Sequence, residues 1–143
     1  MKNKITATNQ VPTLIPRLIV GLIFLSEGIQ KFLFSDIVGT GRFAKIGFSN
    51  PEFWATFTGW IEIICGVLIF VGILTRLASI PLLIDMIVAF ITTKYPLLVD
   101  KGFWAMAHDY RTDFAMTMLL LFLLKYGSGK YSLDFKLFNS NRI

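Results

Sequence analysis

Three carboxylic acids, Glu27, Glu62 and Asp85, stand inside stretches that are otherwise apolar. On insertion scales an ionisable side chain at the centre of a membrane helix costs about 2.5 to 3.5 kcal/mol, so the three together ask for roughly 8 to 10 kcal/mol unless paired or protonated. That cost makes them candidates for proton exchange or ligand binding. Glu27 and Lys31 are four residues apart, on one helical face and in the favourable order for an ion pair, so Lys31 is the expected partner of Glu27. Gln30, beside them, joins the candidate binding residues. Gly59, Glu62 and Gly66 share one helical face, and Ala78, Asp85 and Ala89 another. Small residues let a second helix approach, so both acids are expected to point inward. Asp113 places a fourth acid at the start of the last apolar stretch, with Thr117 one turn further on. Arg111 is nearly opposite Asp113 and is expected to snorkel to the rim or reach over the bundle. His108 has an unperturbed pKa near neutrality and is the candidate gate or proton relay at the mouth of such a site. The bland alternative is that Lys31, Arg111 and the carboxylates only lock helices together.

Stretches that hold such acids must be membrane helices. Of the 143 residues 55% are hydrophobic and 16% charged, far from the composition of an ordinary soluble domain. A helix needs about 20 apolar residues to cross about 30 Å of hydrocarbon, so this length supplies four spans and leaves no room for a separate soluble catalytic domain. The expected architecture is an all-α membrane protein, an antiparallel four-transmembrane-helix bundle forming a single domain over 1–143. The first span is expected over about 14–34, with Pro16 in its opening turn. Because the apolar run reaches Glu27 and Lys31 without a small-residue cleavage site, it reads as a span and not as a removed signal. Asn50-Pro51-Glu52 reads as an N-cap, a first-turn proline and a dipole-matched acid opening a second span over about 52–73. The short turn Leu74-Thr75-Arg76 makes the second and third spans a hairpin. The third span, over about 77–93, is expected to end at Lys94-Tyr95-Pro96. Residues 94–110 mix charges with Phe103, Trp104 and Tyr110 and read as a loop in the headgroup layer. The fourth span, over about 111–126, stops at Gly127-Ser128-Gly129, and the tail over 130–143 reads as exposed.

Several function classes drop out. The net charge of +5 comes from basic residues scattered singly, which suits topology signals and lipid headgroups and gives no nucleic-acid surface. Cys65 is the single cysteine, so an internal disulfide is impossible, and one cysteine with one histidine makes no zinc set. With four spans both termini share a side. Lys2, Lys4, Arg17, Arg76, Lys125, Lys130, Lys136 and Arg142 fall on that side, against six basic residues on the other, which favours cytoplasmic termini.

Four pieces in fixed order carry a family resemblance. They are Arg17-Leu18 through Gly21-Leu22-Ile23-Phe24-Leu25, Gly28 and Lys31; Gly59-x-x-Glu62-x-x-x-Gly66; Gly72-Ile73-Leu74-Thr75-Arg76; and Gly127-x-Gly129-Lys130-Tyr131-Ser132-Leu133-Asp134. Together, over residues 14 to 135, they resemble the DoxX family. In that pattern Asp113 falls where relatives often show a glutamate, and His108 where many have a histidine. The resemblance implies a four-helix protein of the bacterial cytoplasmic membrane. Some relatives belong to thiosulfate:quinone or quinol-oxidising systems and others are linked to assembly or chaperone work, so it transfers fold better than chemistry.

The leading expectation is therefore a membrane redox subunit that binds a small lipophilic ligand such as a quinone. It would work in the lipid bilayer with a partner protein or as a homo-oligomer. Glu62 and Asp85 would exchange protons, Lys31 would hold Glu27 ionised, and His108 would serve the outer mouth. The alternatives are a non-enzymatic assembly factor or scaffold and, behind it, a proton-coupled carrier.

Overall fold

The computed structural model describes residues 12–139, and every regular element among them is helical. Lys2, Lys4 and Arg142, which the charge count used, lie outside the described residues. Four long helices, α1 (Leu14–Leu33), α3 (Pro51–Val71), α4 (Thr75–Ala89) and α6 (Phe103–Tyr126), pack around a core that includes Val20, Phe24, Ile69, Leu82 and Leu120. Short helices α2 (Thr40–Ile46), α5 (Tyr95–Lys101) and α7 (Leu133–Asn139) complete the chain. Two stretches, Pro51–Val71 and Thr75–Lys101, are long and apolar enough to cross a membrane. α1 and α6 have the length as well, but carry Arg17, Glu27 and Lys31, and Asp109, Arg111 and Asp113.

α1 and α3 approach most closely, because glycines line both. A Cβ on Gly28 would lie 2.8 Å from the Gly59 carbonyl oxygen, and one on Gly66 2.9 Å from the Leu25 nitrogen. Both neighbours are backbone and cannot yield, so the contact needs glycine on each helix. Pro51 and Glu52 open α3 as expected, but the Asn50 side chain makes no capping hydrogen bond. The turn to α4 passes through left-handed conformations at Gly72 (φ 76°) and Leu74 (φ 48°).

Three sequence expectations are corrected. First, the segment between the first two expected spans, for which no helix was expected, contains α2, packed on α3. Second, Lys94-Tyr95-Pro96 does not end a helix. Pro96 has no N–H to offer the Thr92 carbonyl, and the chain accommodates this with one wide π-helical turn, Phe90–Lys94, closed by the Tyr95 N–H donating to the Phe90 carbonyl. The helix then runs on as α5, breaks at Gly102 (φ 84°) and returns at once as α6, so 94–110 is a helical hairpin. Third, the tail is not simply exposed, because Ser132 and Asp134 are buried.

Arg17 explains that burial. Its guanidinium donates to the carbonyls of Ile69 (3.0 Å), Phe70 (2.9 Å), Ser128 (2.8 Å) and Tyr131 (2.6 Å). Asp134 accepts from the Leu74 N–H (3.2 Å) and the Ser128 hydroxyl (3.2 Å). One buried cation thus ties α1 to the C-terminal end of α3 and to the glycine-containing segment after α6. Arg17→Met keeps most of the side-chain volume but leaves four carbonyls without their donor, and is expected to destabilise the fold by about 3 kcal/mol or more. Thermal unfolding in mild detergent, compared with the exposed-site control Lys130→Met, checks this.

Candidate functional site

Between the α2 end of the bundle and its middle lies a cavity of about 580 Å3. Glu62 lies halfway along α3, where the Gly28/Gly59 contact brings α1 near enough for Lys31 to reach across. The Lys31 ammonium donates to Glu62 Oε2 at 2.5 Å, with the two side chains only 12% and 4% exposed. From α4, Asp85 faces Glu62, the two carboxyl groups within hydrogen-bonding reach of each other. The expected Glu27/Lys31 pair is therefore replaced by a pair between helices. Glu27 lines the cavity one turn away.

A second charged group sits nearer the rim. Lys94, buried by the π turn, bridges Asp113 (3.2 Å) and Asp109 (2.5 Å) of α6. The same turn puts three consecutive residues, Thr92, Thr93 and Lys94, on the cavity wall, which a regular helix would spread around its axis. The hydroxyls of Thr92 and Thr93 donate back to the Val88 (2.8 Å) and Ala89 (2.6 Å) carbonyls. From the roof, α2 contributes Arg42. Five carboxyl groups and three cations thus share one apolar-walled space.

Of the residues singled out in the sequence, Glu27, Lys31, Glu62, Asp85 and Asp113 come together, while Gln30, His108 and Arg111 do not line the cavity. Gln30 donates to the Ser26 hydroxyl along its own helix (2.9 Å). His108 belongs to α6 and not to a loop. It is exposed, and its ring nitrogens lie 2.6 and 2.9 Å from Arg111 Nη1. That contact, three residues apart on one helix, turns Arg111 away from Asp113. Thr117 donates to the Asp113 carbonyl (2.7 Å) and not to its carboxylate. Sequence reasoning missed Lys94, read as part of a helix stop, and Arg42, which counted only among the scattered basic residues. The signal for Lys94 was Thr92-Thr93-Lys94 ahead of Pro96, where a widened turn could bury a cation.

The geometry is that of a small helical bundle with a charge-lined cavity, in which two helical stretches are long and apolar enough to cross a membrane. The chain belongs to the DoxX family, whose model matches residues 13–95 and so includes Glu27, Lys31, Glu62, Asp85 and Lys94. Asp109, Asp113 and the segment around Asp134 lie beyond that match. The chain is 50% identical over 127 residues to an uncharacterized membrane protein of Mycobacterium tuberculosis, covering 85% of this chain and 78% of that one. It is 38% identical over 86 residues to a Bacillus subtilis protein named "Putative oxidoreductase CatD", covering 59% of this chain and 61% of the relative. An uncharacterized Haemophilus influenzae protein is 29% identical over 124 residues, 85% of this chain and 87% of its own. No solved structure matches.

Asp109 stands beyond the apolar part of α6, more than half exposed, and the hydrogen bond from Lys94 holds its carboxyl below the usual carboxylate range. A depressed carboxylate adds stability that is present above the ordinary Asp pKa and lost as pH falls through the lower folded value. In Lys94→Met the Asp109 titration is expected to move back up, read from its side-chain NMR signal against pH.

Proposed function

We propose that the four long helices form an antiparallel four-span bundle in a bacterial cytoplasmic membrane, with both termini on the cytoplasmic side. The protein is a membrane redox subunit that binds a small lipophilic ligand such as a quinone in the α2-end cavity. One observation carries this reading: Lys31, Glu62 and Asp85 meet at the floor of a chamber whose α1 and α3 walls carry Phe24, Trp54 and Phe57. The size fits, because pockets for small organic ligands run to about 300 to 1,000 Å3. Phe24, Phe57 and Trp54 give flat apolar walls, and the floor offers both a cation and proton-carrying oxygens. The word oxidoreductase in the name of the Bacillus subtilis relative supports the same class.

A bound quinone supplies an acceptor for two electrons and two protons. The protein's own groups manage the protons. Two carboxyl groups within hydrogen-bonding reach repel each other when both are ionised, so Glu62 and Asp85 hold a proton between them. Lys31 stabilises the charge that remains when that proton leaves. Asp113 and Asp109, joined through Lys94, continue the line of exchangeable groups toward the surface. His108 and Arg111, outside the cavity, take no step in this scheme.

The test is native mass spectrometry of gently extracted protein with extraction of bound lipophiles, repeated for Glu62→Gln. The wild type is expected to retain a quinone, and its quinone-linked proton exchange should fall by about tenfold or more in folded Glu62→Gln, whose unfolding temperature drops because Lys31 loses its buried partner. A chain without small ligand but held to another membrane protein would instead establish the scaffold reading.

A further inference from the structure

The cavity's walls are unequal, and the inequality indicates how it is filled. α3 and α4 leave the turn at 72–74 in contact, and on the turn side of the acid pair they are closed by Cys65, Ile69, Ala78 and Leu82, all 8% exposed or less. On the other side of the pair the same two helices stop sealing each other. Trp54 and Phe57 of α3 line the cavity yet are 37% and 47% exposed, and Ile84 and Val88 of α4 line it yet are 57% and 41% exposed. A side chain that belongs to a cavity wall and is also this exposed marks an opening in that wall.

The opening has a regular outline. Trp54, Phe57 and Ile61 recur at three and four residues along α3, and Pro81, Ile84 and Val88 do so along α4, giving two apolar rails. Pro81 stands at the hairpin end of the α4 rail. It offers no N–H to the Leu77 carbonyl and its ring crowds that oxygen, so α4 is free to bend where the opening begins. From Glu62 to Trp54 the rails span eight residues, or roughly 12 Å, which fits within one leaflet of a bilayer whose hydrocarbon is about 30 Å thick. The aqueous end is partly covered, with Arg42 and Asp109 lining the cavity and exposed at its rim. Phe43 and Ile46 of α2 roof the cavity, and Phe48 packs between Phe43 (5.2 Å) and Trp54 (5.9 Å).

We propose that the cavity fills sideways from the bilayer through the slot between α3 and α4. Its ligand is then a membrane-dissolved amphiphile whose polar head reaches Glu62 and Asp85 while its apolar tail passes between Ile84, Val88 and Phe57 into lipid. This deepens the quinone reading and rests on it for the identity of the head group. The slot itself is tested without that ligand.

Thr58, on the cavity wall beside the slot, is replaced by Cys in a Cys65→Ser background and the protein is reconstituted into vesicles. Labelling by a bilayer-dissolved pyrenyl maleimide is expected to be fast, and to slow by about tenfold or more when Val88→Trp or Ile84→Trp obstructs the slot. Ile80→Trp, on the lipid-exposed face of α4 but outside the cavity, should leave the rate unchanged. A sulfonated, membrane-impermeant maleimide should label slowly throughout. If the sulfonated reagent is as fast as the pyrenyl one and the tryptophans change nothing, the cavity fills from water at the α2 end and the proposal is overturned. Binding of a tailed and a tail-less quinone is measured in parallel. Failure to bind either removes the redox reading while the labelling rates still decide the slot.

Discussion

An ammonium group reaching from α1 to a buried carboxylate on α3 is the constraint around which this molecule is arranged. Neither Lys31 nor Glu62 is affordable alone among lipid-like neighbours, and buried ion pairs often contribute little net stability once desolvation is counted. Their pairing at 2.5 Å requires α1 and α3 to lie backbone to backbone, which the glycines at 28, 59 and 66 permit. From α4, Asp85 is presented at the same level. A pair that costs so much in arrangement and returns so little stability is better explained by what it does to a ligand or a proton than by holding helices together.

The two ends of the bundle divide the work. At the hairpin end, Arg17 and Asp134 satisfy carbonyls and a helix N-terminus at once. At the α2 end the backbone is irregular, with a short roof helix and a π turn that buries Lys94, and Pro81 interrupts α4 nearer its middle. Departures from regular helix in a membrane protein are tolerated where they line a cavity, and here they do.

Helix existence was legible in the sequence because it rests on long apolar runs and on local signals such as Pro51 with Glu52 or Gly127. The inward direction of Glu62 was legible too, from the glycines on its face. What was not legible depends on groups brought together from distant positions. Lys31 had two acids in reach, and spacing alone favoured Glu27, four residues away, over Glu62, which only the fold brings near. Pro96 reads locally as a stop, but packing of α4 and α5 against α6 favours continuing through one wide turn. The tail looked solvent-exposed because the partner that buries Asp134 and its neighbours, Arg17, is more than a hundred residues earlier.

The central claim is that Glu62 and Asp85 hold a shared proton that moves during turnover. Infrared difference spectroscopy on the reconstituted protein, comparing oxidised and reduced quinone, reads the carboxylic carbonyl band directly. The account predicts a carboxyl signal that changes on reduction and disappears in both Glu62→Gln and Asp85→Asn. A spectrum without a carboxyl change, or one that persists in both variants, would contradict it.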